Sequence, residues 1–231
     1  AGLLALLLAG VTPDPRDVAE WRRYFPGAVE RPGRFETGGG TTLYGWHGGS
    51  FYALSSAGVN EVIPENDRAM EIAALALSQR PYARKVLLLG RVPLATGLAL
   101  ERLRPDIEVV WAPCDADYGS RLRRLVAIGG SRVEAAGVPP QVLLEGGEPG
   151  CFDLVLVSPP SATTLEGAAW RGVSFAQAVR RVTDRKGVAL FGLDCEVAAL
   201  TPERAELLGL AVLAVRQAWP EAGMFVPGGG G

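Results

Sequence analysis

The sequence predicts an α/β fold, a Rossmann-like and mainly parallel sheet preceded by a small antiparallel β-module. Three observations predict it. Near-continuous apolar runs such as Lys85-Val-Leu-Leu-Leu-Gly90 and Phe152-Asp-Leu-Val-Leu-Val157 alternate with helix-like stretches, the pattern of parallel strands buried on both faces. The first of these runs passes through a glycine turn, Gly90 to Gly97, into a helix-like stretch. Ahead of it lie short β-prone runs separated by glycine-rich turns, which read as hairpins.

Taken in order, residues 1–32 form an apolar start and a connector. Ala1 to Val11 is a leucine-rich run about half as long as the roughly 20 residues that cross a bilayer. Three readings stand: a helix packed on the domain or a partner, the tail of a membrane span, or the remnant of a signal. The first two give this end something apolar to touch, a membrane protein or a membrane surface. Asp17 to Tyr24 reads as a short surface helix stopped by Pro26-Gly27. Residues 33–64 form the β-module, with runs at Thr41–Tyr44, Ser50–Leu54 and Gly58–Ile63.

Residues 65–227 form the Rossmann-like domain. A helix is predicted from Glu65 to Gln79, stopped by Arg80-Pro81. Strands are predicted near Lys85–Leu89, Ile107–Ala112, Gln141–Leu144, Phe152–Val157 and Gly187–Leu193. Helices are predicted near Leu94–Leu103, Tyr118–Ile128 and Val173–Val182, with a helix-strand pair from Pro202 to Ala218. Gly228 to Gly231 reads as a flexible tail.

Composition narrows the function. With 48% hydrophobic and 21% charged residues the chain is globular in type. A formal charge of −2 supplies no general attraction for phosphates, so no nucleic-acid partner is expected. Cys114, Cys151 and Cys195 lie far apart without metal-ligand spacing and read as buried thiols of a reducing compartment. His47 is the one histidine, which removes most zinc chemistry and disfavours a Ser-His-Asp triad; no metal site is expected. Neither a G-x-G-x-x-G turn nor a P-loop is present.

In an open parallel sheet, ligands bind at the carboxyl ends of the strands where strand order reverses. The Gly90–Gly97 turn would bring backbone N–H groups and a helix N-terminus to a ligand there; close strand-helix packing is the competing role for these glycines. Asp115 lies 18 residues past Gly97, near the spacing of about 20 at which an acid holds a ribose through its hydroxyls. Capping of the next helix is its competing role.

This order of β-module, helix, strand-glycine-strand-acid unit and later Phe152-Asp-Leu-Val-Leu-Val-Ser-Pro-Pro160 resembles the spermidine synthase family, the polyamine aminopropyltransferases. The similarity runs from about Glu30 to Val215 and is greatest to a bacterial branch often attached to membrane segments. It implies a class I methyltransferase-type domain, binding of decarboxylated S-adenosylmethionine or S-adenosylmethionine, and a homodimer. The family's glycine-rich acidic first turn stands here as Gly90-Arg-Val-Pro-Leu-Ala-Thr-Gly97. Its Val-Glu-Leu-Asp run stands as Ala112-Pro-Cys-Asp115, keeping Asp115 and replacing the ribose-binding glutamate with Pro113. The adenine-facing turn matches Gly146-Gly-Glu-Pro149, with Glu148 as its acid. The Asp-x-x-Asp-Pro motif, which lines the amine site, stands as Ser158-Pro-Pro-Ser161. In the β-module turn and the following helix, Glu61 and Glu71 remain as acids, with Met70 in place of a histidine.

The chemistry makes these replacements matter. An alkylamine with a pKa near 10 is protonated at neutral pH, so aminopropyl transfer needs carboxylates to hold one cationic end and to deprotonate the other. Serine does neither without an activating base. Two expectations follow. One is a catalytically degenerate relative kept as an interaction or scaffold subunit, cytoplasmic and at the inner membrane face. The other is an active transferase with Gly90, Gly97, Asp115 and Glu148 around the nucleoside and Ser158, Ser161 and Glu71 at the reacting groups.

Overall fold

Two stretches of chain fold around separate cores. A computed structural model describes residues 15–25, 30–55, 58–64, 66–126, 131–160, 165–192 and 201–224. The apolar segment 1–11, Ser161, Cys195 and the glycine tail fall outside them. The chain divides into one unit ending at Asp67 and a second beginning at Arg68.

In the first unit, helix α1 (Pro15–Trp21) is followed by strands β1 (Glu30–Thr37), β2 (Gly40–His47), β3 (Ser50–Ser55) and β4 (Gly58–Ile63). They pair antiparallel in chain order, the meander that the glycine-rich turns predict. Gly40, Gly48 and Gly49 take positive φ, so the tight turns flanking β2 cost little strain. Trp21 of α1 is buried with Leu43 and Leu54, and Phe25 and Tyr52 pack around them. His47 belongs to this cluster, its ring 5.1 Å from that of Phe25.

The second unit opens with α2 (Asp67–Gln79) and then alternates β5 (Lys85–Gly90), α3 (Leu94–Leu103), β6 (Glu108–Pro113), α4 (Ala116–Val126), β7 (Val133–Ala135), α5 (Pro140–Gly146) and β8 (Phe152–Ser158). Helices α6 (Leu165–Ala169) and α7 (Val173–Val182), strand β9 (Thr183–Phe191) and helix α8 (Pro202–Ala218) complete it. The five strands are parallel in the order β7-β6-β5-β8-β9, the reversal of a Rossmann-like sheet, with its switch point between β5 and β8. Side chains of β5 alternate between two covering layers. Leu87 and Leu89 join Phe175, Val179 and Val182 of α7 in one core, whereas Leu88 meets α3 at Gly97 on the other face. All three leucines are completely buried, each contributing about 2 kcal/mol by removal from water.

Two predicted elements are corrected. The run Gln141 to Leu144 is helical, within α5, and the third strand in chain order is instead Val133–Ala135. Pro140 occupies the first turn of α5, where its fixed φ favours a helix and its missing N–H costs nothing; a short apolar run has no periodicity of its own to oppose that. Pro202 to Ala218 is one uninterrupted helix rather than a helix-strand pair.

Candidate functional site

The register of the sheet sets three of the sequence-predicted residues side by side. Gly90 is opposite Pro113 of β6 and opposite Ser158 of β8, and Asp115 follows Pro113 by two residues. Gly90, Asp115 and Ser158 therefore share the carboxyl edge at the switch point.

The turn between β5 and α3 is drawn onto the protein's own groups from both sides. The Arg91 N–H donates to the Ser158 carbonyl at 2.7 Å, and the buried Trp111 Nε1–H donates to the Val92 carbonyl at 2.8 Å. Gly90 has φ +80°, and a methyl group there would lie 2.2 Å from the Ser158 carbonyl oxygen and 2.8 Å from the indole of Trp170. Trp170 is 2% exposed. Leu94, Ala95, Thr96 and Gly97 in the first turn of α3 are all buried. A dinucleotide-type turn leaves such a helix start open to a phosphate or ribose; this one is packed over by side chains and backbone.

Asp115 caps α4. Its Oδ1 accepts from the Asp117 N–H at 2.9 Å and the Tyr118 N–H at 3.1 Å, while its carbonyl accepts from the Gly119 N–H at 3.1 Å. Pro113 keeps α4 close, because a Cβ at Gly119 would lie 2.6 Å from the proline ring. Asp117 is engaged as well, both its oxygens 3.0 Å from Arg121 Nε.

The remaining predicted residues are not brought to this edge. Gly97 lies within α3, where a Cβ would be 3.1 Å from Val133 and 3.2 Å from Leu88, so its smallness serves helix-sheet packing. Glu148 lies between α5 and β8 and is exposed. That is the amino end of β8, a seven-residue strand and so roughly 20 Å from the carboxyl end. The turn leaving β7 at the carboxyl edge is Ala136-Gly-Val-Pro139, which carries no acid. Glu71 is exposed on α2. Glu61 is buried in β4 of the first unit.

Two residues at this edge have no motif signal. Trp170 owes its place to the segment after β8 folding back over Gly90. Arg171 ties that segment down by donating from Nη1 to the Pro160 carbonyl at 2.8 Å and the Gly167 carbonyl at 2.6 Å. An arginine chelating two carbonyls within its own loop leaves no periodic trace in sequence. Cys151, at the amino edge, is unsuited to nucleophilic work because burial pushes its thiol above the ordinary range.

No protein-family model matches the chain, and no curated protein matches it in sequence. Solved structures do match it in three dimensions. A structure described as a probable spermidine synthase from Corynebacterium glutamicum superposes with a TM-score of 0.58 at 14% identity, over 71% of this chain and 64% of that one. The spermidine synthase from Thermotoga maritima gives 0.57 at 13% identity, over 83% and 64%. The chain has a spermidine-synthase-like fold. A spermidine synthase in complex with the transition-state analogue AdoDATO gives 0.57 at 13% identity, over 83% of this chain and 65% of that one. This chain thus spans just under two thirds of the length of each of these three structures. Against that fold, the described turns that follow β5, β6, β7 and β8 carry a single acid ahead of the helices, Asp115.

Proposed function

We propose that this chain is a catalytically degenerate relative of the spermidine synthases that works as an interaction or scaffold domain. The observation that carries this reading is the state of Asp115. It is the single acid in the described turns at the carboxyl edges of β5 to β8, and its Oδ1 is committed to two backbone N–H groups of α4. Aminopropyl transfer needs at least two carboxylates converging on one amine. The packing of Trp170 and the Ser158 carbonyl against Gly90 supports the same reading, because it takes up the space beside the one residue whose backbone a nucleoside would approach.

The fold favours a second reading. A structure sharing it is a complex with a transition-state analogue, and carried over to this chain that supports an active transferase using decarboxylated S-adenosylmethionine or S-adenosylmethionine. Titration calorimetry with methylthioadenosine and with both S-adenosylmethionine forms separates the two. The expected outcome is no binding heat at millimolar ligand from protein shown to be folded. Micromolar binding that disappears in Asp115→Asn, a substitution that keeps the helix cap, would overturn the degenerate reading.

A further inference from the structure

Scattered exposed leucines on a surface carry no meaning, but a contiguous group of them marks a contact. Helix α8 carries such a group. Leu207, Leu210 and Leu213 are 39%, 54% and 57% exposed, and Met224 just beyond the helix is 61% exposed. Only Ala211 and Ala214 of this helix are buried among the described side chains, in the direction of α7, against which α8 packs. On the outward side an open groove of about 390 Å³ is lined by Ala205, Leu208, Gly209, Val212, Leu213 and Met224. A helix apolar on its outward face as well as its inward one is built to be covered on both.

We infer that this groove is filled by α8 of a second copy of the chain, the two helices running antiparallel about a two-fold axis at Gly209. The first argument is shape. Ala205, Gly209 and Leu213 are spaced four apart, so they form one stripe with small residues at its start and a large one at its end. Reversing the helix about Gly209 sets Leu213 of each copy over Ala205 of the other. A Cβ at Gly209 would find nothing within 4 Å, which leaves room for the incoming helix. The match is isologous, as closed two-fold symmetry requires.

The second argument is charge. The first turns of α8 expose Glu203 and Glu206, and the last turn exposes Arg216. Antiparallel packing brings Arg216 level with the acidic turns of the other copy, whereas parallel packing would set acid against acid. One helix face buries less than the roughly 800 Å² per partner of a standard interface, so the dimer is a weak one that concentration controls. The inference extends the interaction reading by naming a partner for it.

Sedimentation velocity across a concentration series tests it on the whole chain. The unmodified protein is expected to pass from monomer to dimer as concentration rises. Leu213→Glu should abolish the dimer. Gly209→Leu should weaken it at least tenfold while improving helix propensity, so a loss of dimer cannot be a loss of fold; circular dichroism should remain unchanged. Arg216→Glu should weaken association, and adding Glu203→Arg should restore it. A chain that stays monomeric to about millimolar concentration, or a dimer indifferent to both Leu213→Glu and Gly209→Leu, overturns the inference. So does dimerisation that appears only after residues 1–11 are removed, which would assign the groove to that segment. Nucleoside binding by a chain that also dimerises would sink the degenerate reading alone; a monomer that ignores nucleosides would sink the dimer alone.

Discussion

Gly90 and Gly97 carry opposite kinds of constraint, although both sit in one glycine turn of the sequence. Gly90 has φ +80° and no space for a methyl group beside the Ser158 carbonyl and the Trp170 ring. Gly90→Ala must strain the backbone and push aside a carbonyl held by the Arg91 N–H. It is expected to cost about 3 kcal/mol or more, read as a lowered urea midpoint with an unchanged m-value. Gly97 has ordinary helical geometry, and its neighbours are the flexible ends of Val133 and Leu88, so packing alone demands its smallness. Spacing in a sequence does not separate these roles, because a tight turn, a close ligand and a close helix all select the same residue.

At the scale of elements, the β6 to α4 junction shows one carboxylate serving secondary structure. Asp115 satisfies two of the orphan N–H groups that begin α4. Asp115→Ala is expected to destabilise the domain by about 1 kcal/mol, whereas Asp115→Asn, which keeps the acceptor, should come close to the parent; thermal unfolding of the two variants decides it. The acid's distance from Gly97 fitted a ribose and a cap equally well, and both were legible. The hydrogen bonds separate them. The β7–α5 region was less legible, since Val133–Ala135 is only three residues long and becomes a strand through its pairing with β6.

Over the whole second unit, long-range ties set which strand ends meet. Asp153, at the start of β8, accepts from the Arg84 N–H at 2.8 Å and the Lys85 N–H at 3.0 Å, fixing β8 beside β5 across nearly seventy residues of chain. Asp153→Ala removes a charged acceptor from two backbone donors and is expected to cost about 1 to 2 kcal/mol, seen as faster hydrogen exchange of β5 and β8 amides and a lower unfolding midpoint. That tie and the shared register of β5, β6 and β8 bring Gly90, Asp115 and Ser158 to one edge. The same register sends Glu148 to the other edge, although a motif placed it with them.

The sequence by itself determined the architecture: an antiparallel module followed by apolar strands alternating with helices, because burial on both faces writes an unbroken apolar run into each parallel strand. It also showed that carboxylates had been replaced at Ser158 and Pro113. Only the tertiary structure decided that Asp115 caps a helix, that Trp170 lies against Gly90, and that α8 keeps an apolar face outward. Each of these depends on which distant segments pack together. Local periodicity records that a side chain must be buried or bonded, and the folded chain alone supplies the partner.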